Sequence, residues 1–156
     1  MVLVALTTFS ACATPTARGV LDSEGGELGK WTTFVAARCA APSRDEDEDG
    51  NQTVLVSEDG RRLGVYVGHE RRTGWRVALE DLDNPRSTPV VLDQHPEDIP
   101  YTHPNRCRLM VADGAGHQVD SAEPVAYDGH FAIDCELSGG GHLRGAVTFK
   151  NCPSRF

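Results

Sequence analysis

Along most of this chain apolar residues recur at every second position in short runs, and glycine, proline or acidic residues stand between the runs. A period of two places alternate side chains on opposite faces of an extended chain, so each run reads as a strand with one face to bury. "WTTFVAARC" sets Trp31, Thr33, Val35, Ala37 and Cys39 against Thr32, Phe34, Ala36 and Arg38, and is the first strand expected. "QTVLVS" and "RLGVYVG" flank Glu58-Asp59-Gly60, where Asp-Gly supplies the positive φ of a tight turn, so a hairpin is expected there. "GWRVALEDL" alternates Trp75, Val77 and Leu79 with Arg76 and Glu80. "TPVVLD" is short and carries a proline, which suits a sheet edge.

Between Gln94 and Arg106 stand Pro96, Pro100 and Pro104, which remove amide donors and disfavour helix before each, so a long loop is expected. "CRLMVAD" follows, then a turn expected at Gly114 to Gly116, then "EPVAYDG", and last a hairpin of His130–Leu137 with Leu143–Phe149. Eight or so strands without an amphipathic helix predict an all-β fold, a small antiparallel β-sandwich or barrel held by disulfides. The 16 glycines and 9 prolines, spread without a period, fit such a turn-rich protein.

Charge narrows the partners. A net charge of −8 works against attraction to nucleic acid or anionic head groups, which need a cationic face, so neither is expected as a direct partner. No run of 18 apolar residues is present to cross a bilayer as a helix, so any membrane attachment would be through lipid.

The start of the chain offers that attachment. A short apolar run, Val2 to Leu6, gives way to small residues, reaches Cys12, and passes into a Thr/Pro/Ala stretch without packing periodicity. Phe9-Ser10-Ala11-Cys12 resembles the lipobox of bacterial lipoproteins, in which the cysteine is lipidated and becomes the new N-terminus. The resemblance implies a leader over 1–12 ending at lipidated Cys12. Composition then suggests a flexible tether over 13–28 and a single β domain over 29–156. The expected location is the bacterial cell envelope, lipid-anchored and facing periplasm or exterior. Ala11-Cys12-Ala13 also fits a signal-peptidase cleavage site, which would give a secreted protein instead.

Five cysteines become an even four once Cys12 is assigned to lipid: Cys39, Cys107, Cys135 and Cys152. Two disulfides follow, consistent with an oxidising compartment. Simple alternation puts Cys135 on the face of Phe131 and Ile133, and leaves Cys152 off the face of Val147 and Phe149. Cys135 and Cys152 are therefore expected to bridge to other strands, one to Cys39 and one to Cys107, with the assignment open.

Candidate chemistry is sparse. Asp45, Asp47, Asp49 and Gly50 match the first half of a D-x-D-x-D-G calcium loop, but the twelfth position is Val56 in place of a bidentate glutamate. Calcium is the metal this loop suggests, and a solvated acidic turn is the plainer expectation. The histidines at 69, 95, 103, 117, 130 and 142 lie beside turns or prolines and make no i, i+4 pair. No G-x-S-x-G elbow and no phosphate loop occurs, so no catalytic residue and no cofactor is expected. The leading expectation is a non-catalytic envelope lipoprotein that binds an envelope protein or glycan. A calcium-binding module using 45–50, or a secreted enzyme or inhibitor using the Gln94 to Arg106 loop, are the alternatives.

Overall fold

The computed structural model describes residues 14–26, 28, 31, 33–40, 50–70, 74–93, 105–118 and 125–153. Nine strands follow in order: β1 (Thr16–Ser23), β2 (Thr33–Ala40), β3 (Gly50–Ser57), β4 (Arg62–Glu70), β5 (Gly74–Asp81), β6 (Val90–Asp93), β7 (Arg106–Gln118), β8 (Val125–Glu136) and β9 (His142–Pro153). They form one antiparallel sheet in the order β6-β5-β4-β3-β2-β1-β9-β8-β7. The two edges come round towards each other, with β7 against β4, β5 and β6, so the sheet is a nearly closed barrel.

Alternation explains the interior. Phe34, Leu21, Leu55, Leu63, Val65, Leu79, Leu92, Phe131, Ile133, Leu143 and Phe149 lie almost wholly buried in one continuous core. Large and small side chains trade places across the inner rows: Met110, Ile133, Gly145, Leu21 and Phe34 stand side by side on five neighbouring strands. The next row is Ala112, Phe131, Val147, Gly19 and Ala36. A small barrel has room for only such mixed layers. Burying each large side chain stabilises the fold by about 1.5–3 kcal/mol.

The expected hairpin of 52–68 is present, with Gly60 at φ 88° and its N–H donating to the Ser57 carbonyl over 3.1 Å. The short Val90–Asp93 strand is an edge, as its proline-flanked sequence suggests. Three expectations need correction. The stretch 13–28, which lacks an evident two-residue period, holds β1, a central strand paired to β2 and β9. Gly19 in its middle hides the period, because a glycine sits where an inward side chain would be. The turn expected at Gly114 to Gly116 is absent, since β7 runs on to Gln118, which pairs with Val125. Hydrogen bonding to β8 outweighs the local preference of glycine for turns.

The third correction concerns pleat. Cys152 faces the core, on the same side of the sheet as Cys135, in spite of simple alternation, because β9 carries a bulge: Lys150 and Asn151 together oppose Asp128. Asn151 takes φ 54°, a left-handed conformation that asparagine tolerates, and its N–H donates to Asp128 Oδ1 over 2.7 Å. The same device acts at Ala37 in β2, which turns Cys39 inward, and at Arg108 in β7, between Cys107 and the inward Met110. The disulfides are Cys39–Cys152 and Cys107–Cys135, each joining two strands as expected.

These bridges sit at opposite ends of the barrel. The rim where β1 begins and β2 and β9 end, which we term the entry rim, holds Cys39–Cys152, with Cys39 Sγ 3.6 Å from the Thr16 carbonyl oxygen. The far rim, where β7 begins and β8 ends, holds Cys107–Cys135 on directly opposed residues. Leu28, Leu137 and Trp31, the last edge-on to Phe34 at 6.0 Å, cover the core at the far rim. The open seam between β6 and β7 is latched there by Asn105, which donates to the Val91 carbonyl and accepts from the Ser138 N–H, both at 3.0 Å.

Two outcomes test this architecture. Gly19 and Gly145 adopt φ 148° and 141°, and a Cβ on either would lie 2.1 Å from the backbone oxygen of Ala146 or Val20. Gly145→Ala therefore costs roughly 1–3 kcal/mol in backbone strain before the clash is counted, measured by urea unfolding. The Cys39–Cys152 bridge spans a sequence separation of 113 against 28 for Cys107–Cys135. On the chain-entropy account, Cys39→Ser with Cys152→Ser loses about 4.8 kcal/mol and Cys107→Ser with Cys135→Ser about 3.6 kcal/mol. Denaturant midpoints of the two double variants give the comparison.

Candidate functional site

A depression of about 620 Å³ opens near the entry rim, lined by Trp75 of β5, Asp113 to Ala115 of β7, Asp128 to His130 of β8 and Thr148 to Lys150 of β9. Pairing registers explain why the wall is hollow. Gly114, Gly129 and Phe149 stand side by side on three strands, on the inward face. The two glycines present no side chain, and the Phe149 ring leans across Gly129 so closely that a Cβ there would meet its Cζ at 2.4 Å. Trp75, half-buried against the core from β5 and edge-on to His69 at 5.0 Å, forms the opposite apolar wall.

The polar groups come from the outward rows. Asp113, His130 and Thr148 are register partners, and His130 Nδ1 lies 2.9 Å from Asp113 Oδ1. Asp128 is oriented by the Asn151 N–H at the bulge, and Lys150 stands opposite Thr16, exposed at the edge of the depression. An aromatic and glycine wall with an exposed lysine at its edge suits reversible binding of a small partly apolar molecule. A thiol nucleophile is ruled out among the described residues, because all four described cysteines are oxidised.

Of the residues singled out in the sequence, Cys39, Cys107, Cys135 and Cys152 are structural and lie away from the lining. Cys12 and the acidic Asp45, Asp47 and Asp49 fall outside the described residues. Among the described residues no group of three or more His, Cys, Asp or Glu side chains converges as a metal site. Sequence reading missed Trp75, Gly114, Gly129 and Phe149 as a set. They come from four strands, and only the barrel closure and the β7·β8·β9 register bring them together.

A second cluster lies on the outer wall towards the far rim. Asp134 accepts from His142 Nε2 at 2.6 Å and from Arg108 at 2.8 Å, so one carboxylate ties the β7 bulge to the first residue of β9. The hydrogen bond with His142, and then the Arg108 charge, hold its pKa below the ordinary 3.8. A lowered folded pKa means that this carboxylate stabilises the fold fully above about pH 3.8 and loses its effect as pH falls through the folded value. The expected outcome is that Asp134→Asn melts lower than the parent at pH 6, and that the gap closes in melts taken at successively lower pH below 3.8. A gap that stays constant down to pH 2 would show that the carboxylate charge contributes nothing.

Comparison with protein-family models, with curated proteins and with solved structures finds no match, so what this depression serves is argued from its own residues.

Proposed function

We propose that the chain is an exported, disulfide-locked β-barrel that acts as a non-catalytic binding module at the bacterial cell envelope, held there by lipid on Cys12. The observation that carries this reading is the pair of disulfides, one at each rim of the barrel. Such bridges persist in oxidising compartments and are uncommon where thioredoxin and glutathione keep thiols reduced. They agree with a leader whose Phe9-Ser10-Ala11-Cys12 resembles the lipobox, and the fifth cysteine is then the acyl acceptor.

The binding role is supported by the depression at the entry rim. The rest of the barrel interior is filled by the apolar core, so a ligand is held at the mouth and not inside. An envelope component, glycan or protein, is its proposed partner. The half-buried Trp75 would take a ring face or an apolar side chain, and polar residues of the edge, among them the exposed Lys150, the hydroxyls or amides.

Intact mass of the full chain expressed behind its own leader in a bacterial host tests the proposal. The expected product lacks residues 1–11, carries added acyl mass on Cys12, and takes four alkylations only after reduction. An unprocessed chain whose thiols all alkylate before reduction would sink the envelope reading.

A further inference from the structure

We infer that the barrel stands on the bilayer by its entry rim, with the mouth of the depression facing the membrane surface and the far rim turned away. The inference rests on lipidation of Cys12 and adds to it an orientation that the fold imposes. Thr16, the first residue of β1, is four residues past Cys12 and already lies in the sheet, paired with Lys150. Four residues of fully extended chain span at most about 14 Å. A domain beginning at 29 would leave slack for any orientation, whereas a domain beginning at Thr16 leaves almost none.

The attachment point is central to one rim. β1 lies in the middle of the sheet, flanked by β2 and β9, and the Cys39–Cys152 bridge passes beside the Thr16 carbonyl. The short lead therefore emerges between two strands that cannot part from each other. β1 runs eight residues from that rim to Ser23, which places the far rim roughly 25 Å further along the strand. Lys150 lies at the attachment point itself, and the depression it lines opens beside it. A molecule bound there would be met at the level of the lipid head groups.

The chain contains its own reporters. It has two lysines: Lys150 at the entry rim and Lys30, next in sequence to Trp31, which covers the core at the far rim. Its two tryptophans divide the same way, Trp75 at the start of β5 and Trp31 before β2. The experiment reconstitutes the lipidated full chain in phosphatidylcholine vesicles and labels it with a membrane-impermeant sulfonated succinimidyl ester. Peptide mass spectrometry then gives the Lys150-to-Lys30 labelling ratio, with the soluble Cys12→Ser chain as reference.

The expected result is a several-fold fall in that ratio on vesicles. Quenching by head-group spin-labelled lipid gives a second readout: Trp31→Phe, which keeps Trp75, is quenched more strongly than Trp75→Phe, which keeps Trp31. A lipidated, vesicle-bound chain whose ratio is unchanged, or whose Lys30 is the shielded residue, overturns the orientation and leaves the anchor intact. A chain recovered without lipid and free of vesicles overturns the anchor, and the orientation with it.

Discussion

The β1·β9 pairing holds the molecule together. β1 to β6 form one meander and β7 to β9 another, and among the described residues the strand ladder joining them is the one between the first strand and the last. That ladder runs from Thr16–Lys150 to Ser23–Leu143, so its partners lie more than a hundred residues apart and its closure costs the loop entropy of nearly the whole chain. Two features offset that cost. Gly19 and Gly145 let the backbones of β1 and β9 approach where a Cβ would strike a carbonyl oxygen, and Cys39–Cys152 ties the flanking strands across the start of β1. The bridge restricts the unfolded chain most where the folded one most needs closure.

The bulges and the cysteines are parts of one solution. Three of the four half-cystines lie beside an extra residue, at Ala37, Arg108 or Asn151, that reverses the pleat; only Cys135 is reached from the inward residues Phe131 and Ile133 by plain alternation. A bridge between strands needs both sulfurs on the same side of the sheet, and a rigid two-residue period grants this only by chance. Inserting one residue grants it locally while the core face remains apolar on both sides of the insertion. The pair Arg108 and Asp134 shows the same economy, since the residue extruded by the bulge becomes the ion-pair partner of the strand beside it.

The limits of sequence reading follow from the same geometry. The all-β class, the Glu58-Asp59-Gly60 hairpin, the Val90–Asp93 edge and the two-bridge arithmetic were legible, because each depends on residues within a few positions. β1 was not legible, because Arg18, Gly19 and Val20 break its pattern and its inward places are filled by Ala17, Gly19 and Leu21. Nor was the pleat of Cys152, since a bulge needs its partner strand to be recognised. The depression was the least accessible of all: its floor is made by what Gly114 and Gly129 lack, and its walls come from β5 and β9, which meet only through closure of the barrel.

Closure itself is incomplete, and the gap is handled differently at the two rims. Near the far rim, the buried Asn105 spans β6 and the β8–β9 turn with both ends of its amide, and Leu28, Leu137 and Trp31 cap the core. Nearer the entry rim, β7 carries Gly114 beside the glycine of β8, and Trp75 of β5 faces that bare stretch. A barrel sealed at one end by hydrogen bonds and aromatic packing, and left hollow at the other by paired glycines, opens part of its inner wall at one mouth. Stability is drawn from both rims, from the Cys39–Cys152 bridge and the buried Phe149 at the entry and from the Asn105 latch at the far end, so the hollow is bounded by residues the fold itself requires. That opening makes the entry rim the part of this barrel best placed to serve a ligand.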